Sequence, residues 1–200
     1  MSDIKSNIAK LLNDSLEVLI KPQSYFSTME RSGGVVEPVV KAVIYAAIAG
    51  VIKVIIEMAK PVKPFPLISD ASLKVLFDTV TLSCMALVII AVAIYFISKL
   101  CKGNKTFEPS FRVSASLMIL YPINTVLGIT IQFSKYAMPV ISLAISFFGV
   151  WLIYNALVYA LEADKSLARL ISIFLAMLPI LMLISSLFFH SGNTIPNSGP

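Results

Sequence analysis

Apolar stretches of helix-spanning length alternate with short charged ones along this chain. The apolar runs cover residues 39–58, 76–98, 113–133, 140–161 and 167–189. A helix rises about 1.5 Å per residue, so roughly 20 residues cross the ~30 Å hydrocarbon core of a bilayer. Each run has that length. None shows the strict alternation of a barrel strand, and an open sheet edge cannot face lipid. The pattern therefore predicts an all-α integral membrane protein, a bundle of five transmembrane helices. The first run carries Lys53 and Glu57. Its Val and Ile residues contribute about −0.3 to −0.6 kcal/mol each to insertion, against roughly +2.5 to +3.5 kcal/mol for a central lysine, less near an end. The apolar sum wins, and the run is expected to insert.

Ahead of the first span, residues 3–20 place Ile4, Ile8, Leu11, Leu12, Leu16 and Leu19 at helical spacing on one face. Pro22 ends that helix. A short turn over 23–29 with Tyr25 and Phe26 follows, and Gly33-Gly34 breaks the chain. The predicted organisation is an N-terminal amphipathic segment over 1–37, a five-span domain over 38–189 and a polar tail over 190–200. Lys5, Lys10 and Lys21 balance Asp3, Asp14 and Glu17, so the N-terminal helix is no strong sensor of anionic lipid. It reads as a helix on the membrane surface, as a cap across the ends of the bundle, or as a partner-binding helix. The first 37 or so residues are too polar for the apolar stretch of a cleavable signal peptide.

Composition sharpens this picture. The chain has 200 residues, 58% of them hydrophobic and 14% charged, which leaves no material for a second, soluble domain. The formal charge of +5 does not point to nucleic acid, because the basic residues flank apolar runs. With the N-terminus in the cytoplasm, eleven of the sixteen Lys and Arg residues fall on the cytoplasmic side. The remaining five are Lys53, Lys60, Lys63, Lys74 and Lys135. The positive-inside rule then favours N-terminus in and C-terminus out. Cys84 sits in an apolar run and Cys101 in a basic loop, which reads as two free thiols and not as a disulfide framework.

Three constellations stand out. In span one Ala42, Ala46, Ala49, Gly50, Lys53 and Glu57 share a face, and small residues let another helix approach closely. Lys53, Glu57 and Asp78 are predicted to form an intramembrane polar cluster in the outer half, lining a cavity or binding an ion or headgroup; the alternative is a structural ion pair. In span three Tyr121, Pro122 and Asn124 mark a kink or pocket. Pro122 cannot donate to the carbonyl of Met118, and Asn124 or Thr125 is expected to supply the missing donor. Pro179 predicts a similar kink in span five. The loop 99–112 is the densest basic patch, and Lys99, Lys102, Lys105 and Arg112 are candidates for headgroup or partner contact, or simply for anchoring topology. In span four Asn155 is expected to bond a neighbouring helix. The only histidine, His190, has no second ligand in sequence, and no metalloprotease, Walker or nucleophile-elbow motif occurs. No catalytic residue, metal ligand or cofactor is predicted.

The segment Lys21-Pro22-Gln23-Ser24-Tyr25-Phe26, the Gly33-Gly34 break, the loop Gly103-Asn104-Lys105-Thr106-Phe107, the stretch Ser114 to Pro122 and the run Trp151 to Leu157 together resemble the bacterial branch of the Yip domain family. That family is named for interaction with Ypt/Rab GTPases. The resemblance spans about Pro22 to Phe189 and rests on the order and spacing of these motifs. It implies five spans, a cytoplasmic N-terminus and no catalytic centre. The chain lacks the Asp-Leu-Tyr-Gly-Pro and Gly-Tyr motifs of eukaryotic relatives, so Rab binding is not carried over. The expectation is a non-enzymatic, multi-pass protein of a prokaryotic inner membrane that organises membrane lipids or a protein partner at the cytoplasmic face. The alternative is a small channel or transporter using Lys53, Glu57, Asp78 and the Pro122 kink.

Overall fold

The structure, a computed structural model, describes residues 2–58, 70–128 and 137–191. Every regular element among them is helical. In chain order these are α1 (Ser2–Ile20), α2 (Pro22–Thr28), α3 (Val36–Met58), α4 (Asp70–Leu100), α5 (Phe107–Leu117), α6 (Leu120–Leu127), α7 (Ala137–Asn155) and α8 (Lys165–Ser191). A π-helical turn, Ala156–Ala160, extends α7.

Four described helices are long and apolar enough to cross a membrane: Val36–Ile56, Leu73–Leu100, Pro139–Ala160 and Lys165–Ser185. They match the first, second, fourth and fifth predicted runs. The third run, expected as one helix over 113–133, is instead two short helices. Its first half starts earlier, at Phe107, and the chain turns at Met118 and Ile119 before α6 begins. Residues 129–133 lie outside the described residues, as does the tail beyond Ser191.

Proline chemistry explains the turn. Pro122 has no N–H for the carbonyl of Met118. The backbone N–H of Tyr121 takes that carbonyl at 3.0 Å, and Ile119 N–H donates to Ser116 O at 3.4 Å. Both bonds reach back three residues, the tighter 3₁₀ pattern. The expected donors, Asn124 and Thr125, are not used there. Thr125 Oγ1 donates to Tyr121 O at 2.9 Å. Pro179 does not divide its helix, and α8 continues through it as one element.

α3 and α4 form a closely packed antiparallel pair. α5 lies against both, α6 packs mainly on α3, and α7 pairs with α8. Small residues set the closeness of the first pair, as their spacing predicts. Ala42, Ala46 and Ala49 are buried, and a Cβ at Gly50 would stand 2.6 Å from Leu76 of α4. α5 is buried all round from Pro109 to Leu117. Elsewhere the membrane helices show large apolar side chains outward, among them Phe77, Ile89, Phe174 and Met182. Lipid tails are as apolar as these side chains, so nothing drives them inward.

The core instead concentrates at the end that carries α1 and α2. Val18, Phe26, Val113, Leu152, Leu157 and Leu161 pack there, with a second cluster of Ala42, Tyr45, Leu87, Ala91, Phe111 and Met118 beside it. Pro22 opens α2 at a position where its missing N–H costs nothing. α2 then inserts Phe26, fully buried, against the π turn. Burying such a ring contributes about 1.5–3 kcal/mol. α1 docks through Ser15 and Val18, while Leu12, Leu16 and Ile20 form an exposed stripe one step round the helix.

Candidate functional site

The loops at the α2 end are built first by backbone geometry. Asn104 N–H donates to Leu161 O at 2.7 Å, and Asp164 N–H donates to Cys101 O at 2.8 Å. These two bonds clasp the loop after α4 to the loop before α8. Gly103 sits inside the clasp, where a Cβ would stand 2.6 Å from Ser98 Oγ and 2.7 Å from Leu161 O. Asn104 Oδ1 accepts from Thr106 N–H at 2.9 Å and leads the chain into α5. Phe107 then sets its ring against Tyr95 and Phe111. Asp164 caps α8 by accepting from Ser166 and Leu167 N–H at 2.9 and 3.0 Å.

On this frame rests a polar cluster between α1, α2, α3 and α5. Lys41 of α3 is buried. Its Nζ donates to Tyr25 OH at 2.9 Å and pairs with Asp14 at 3.4 Å. Tyr25 OH also bonds Ser116 Oγ at 2.8 Å. One turn further along α3, Tyr45 OH meets Ser15 Oγ at 2.6 Å. Arg112 of α5 is buried as well. It reaches Glu37 at 3.2 Å, Gly34 O at 3.1 Å and, through Nε, Glu108 at 3.6 Å. Gly34 N–H donates to Glu108 at 2.7 Å. Gly33 and Gly34 have φ of +138° and +87°, a backbone that glycine adopts without strain, and this places their peptide against Arg112. Arg31 closes the far side with an ion pair to Glu162. A cavity of about 200 Å³ opens within the cluster, edged by Lys10, Asp14, Glu17, Lys41 and Arg112.

A second space lies deeper. α4 and α7 scarcely touch, and the α5–α6 turn floors the gap between them. The resulting groove of about 470 Å³ is lined by Leu82, Ala86, Leu120, Ile145, Gly149 and Ile153, with Tyr121 and Asn124 among its polar members. Lys53 Nζ donates to Tyr121 OH at 2.9 Å.

The structure thus joins residues that the sequence treats apart and separates others. Lys53 meets Tyr121 of the kink. Asp78 is exposed, and among the described residues no ion pair joins it to Lys53. The side chain of Glu57 lies outside the described residues. Lys99, Lys102 and Lys105 are exposed, and Lys99 Nζ lies 4.4 Å from the centre of the Tyr95 ring. Arg112 parts from them into the buried cluster. Asn155 bonds its own helix, donating to Trp151 O at 2.8 Å, and among the described residues no hydrogen bond joins its side chain to a neighbouring helix. The Asp14–Lys41–Tyr25–Ser116 chain was missed by sequence reasoning. Its one signal is Lys41 placed a single turn before Tyr45 inside an apolar run. Burial pushes the Cys101 thiol pKa up, and the nearby Asp164 carboxylate adds to the rise.

Searches of curated proteins and of solved structures find no significant match. The model of the Yip1 domain matches residues 16–187, a stretch that holds α2, the Gly33-Gly34 turn, the clasped Gly103 loop, the broken third segment and the apolar helices. With that match over most of its length, this apolar, multi-helix membrane protein belongs to the Yip1 domain family.

Proposed function

We propose that this chain is a five-span, non-enzymatic Yip-type protein that organises its membrane by presenting one composite face to lipid headgroups and to a protein partner. The observation that carries the reading is the backbone clasp between 101–104 and 161–164. Together with α2, it gathers the N-terminal helices and both loops at one end of the bundle. In this reading the chain crosses from that end toward the far start of α7 through α5 and α6, which supply the fifth crossing. Those two helices cover 107–127, roughly 30 Å of rise. Five crossings put the termini on opposite sides. The positive-inside rule favours the α2 end as the cytoplasmic one, and the resemblance to the bacterial branch of the family supports a prokaryotic inner membrane.

On that face Lys99, Lys102 and Lys105 are exposed beside the buried Arg112 cluster. Each exposed lysine near an anionic surface contributes about 1 kcal/mol of attraction. The triple variant Lys99→Glu, Lys102→Glu, Lys105→Glu tests the face. Reconstituted into liposomes and incubated with cross-linker in native membrane extract, the wild-type chain is expected to capture a reproducible partner set that the variant loses. Equal capture by both, with both folded, would sink the reading. The apolar lining of the inner groove accords with lipid contact and not with ion passage.

A further inference from the structure

We propose that the groove between α4 and α7 is a phospholipid site. It holds one acyl chain along its apolar walls and the lipid phosphate against Lys53 and Tyr121. The inference rests on the membrane-spanning reading and adds a ligand to it.

Size argues first. Ligand sites fall at about 300–1,000 Å³, mostly apolar with a few polar groups that fix orientation. The groove, at about 470 Å³, lies in that range. A flexible alkyl chain can follow such a slot. Dispersion argues next. A gap with no atoms on one side forfeits the contacts of its lining, and an apolar cavity does not hold water well. In a bilayer the material at hand to fill it is acyl chain.

The polar end supplies orientation. Lys53 stands seventeen residues beyond Val36, so about 25 Å along α3 from the α1 end, close to the opposite interface. Its ammonium donates to Tyr121 OH at 2.9 Å and lies 5.1 Å from the ring centre. Tyr121 in turn lines the groove together with Asn124. A phenol hydroxyl and an amide at one end of an apolar slot, with an ammonium bonded to that hydroxyl just behind it, complement a phosphate joined to a hydrocarbon tail. The α5–α6 turn creates this arrangement.

The test places the full chain in nanodiscs with a phospholipid carrying a photoactivatable group midway along one chain. A diacylglycerol with identical chains serves as the comparison. Labelled peptides are mapped by mass spectrometry. The expected result is label enriched several-fold on peptides holding Leu120 and Ile153 over the α8 peptide holding Phe174 and Met182, both lipid-facing. Phospholipid is expected to outlabel diacylglycerol there, and Lys53→Gln to erase that preference. Gly149→Leu is expected to abolish the enrichment. Gly149→Ala retains it, because a Cβ there meets only Leu120 at an ordinary 3.5 Å. Ala86→Leu, from the opposite wall, repeats the block if Gly149→Leu fails to fold. Even labelling of groove and α8 would overturn the site while leaving the membrane reading intact; no labelling anywhere would overturn both. Equal labelling by the two lipids in the wild type would remove the phosphate from the proposal.

Discussion

At Lys41 a buried ammonium is held by two oxygens, Tyr25 OH at 2.9 Å and Asp14 at 3.4 Å. Leaving such a charge with one partner costs about 1–3 kcal/mol, because its desolvation is no longer offset. Asp14→Ala is therefore expected to lower the unfolding free energy in detergent by about that amount. Adding Lys41→Met recovers part of the loss, since the stranded charge is gone. A double-mutant cycle measures the coupling, and strictly additive effects would contradict it. Gly103 offers a steric counterpart. Its Cβ would press on the backbone oxygen of Leu161, which cannot rotate away. Gly103→Ala is expected to destabilise by about 1–3 kcal/mol and to loosen the clasp, read as faster amide exchange at Asn104 and Asp164. Cys101 is fully buried with its pKa raised. A raised pKa keeps the thiol protonated as pH climbs through its ordinary range. Alkylation at pH 8 to 9 is accordingly expected to wait for unfolding.

Among the elements, the two proline-bearing segments make opposite predictions. Pro122 starves the Met118 carbonyl, and the chain answers with a tight turn at Met118–Ile119. Pro122→Ala restores the donor and is expected to straighten α5 into α6. Spin-label distances across the turn lengthen and Tyr121 leaves Lys53. α8 already runs through Pro179 unbroken. Pro179→Ala there is expected to keep every distance and to raise thermal stability, because alanine is the better helix former. The sequence marks both prolines alike. Which one breaks its helix is decided by the packing around it. α5 is enclosed on all sides from Pro109 to Leu117, whereas α8 faces largely outward. The small-residue face of α3 was legible beforehand because three- and four-residue spacing maps directly onto a helix surface. The partners of Arg112 were not: Gly34 and Glu37 lie more than seventy residues away in sequence.

For the whole molecule, the arrangement predicts topology and depth. Reporter fusions at residue 200 and at the N-terminus are expected to fall on opposite sides of the membrane. Same-side reporters would contradict the fifth crossing. α1 lies beside the first turns of α3, with Ser15 bonded to Tyr45, whose side chain leans toward the start of α3. Under the proposed topology its exposed stripe of Leu12, Leu16 and Ile20 is expected to enter the membrane surface, as an amphipathic helix does. A Leu12→Trp variant is expected to be quenched by lipids brominated high on the acyl chain.

The sequence by itself determined the solvent of this protein, the positions of its apolar helices, its polar N-terminal helix and its family. These follow from run length, helical period and motif order, all local properties of the chain. Only the tertiary structure decided that the third segment breaks, that Lys41 and Arg112 leave the surface for a shared polar cluster, and that Lys53 meets Tyr121 beside an apolar groove. Those outcomes depend on which distant side chains arrive at hydrogen-bonding distance, and spacing along a chain carries no record of that.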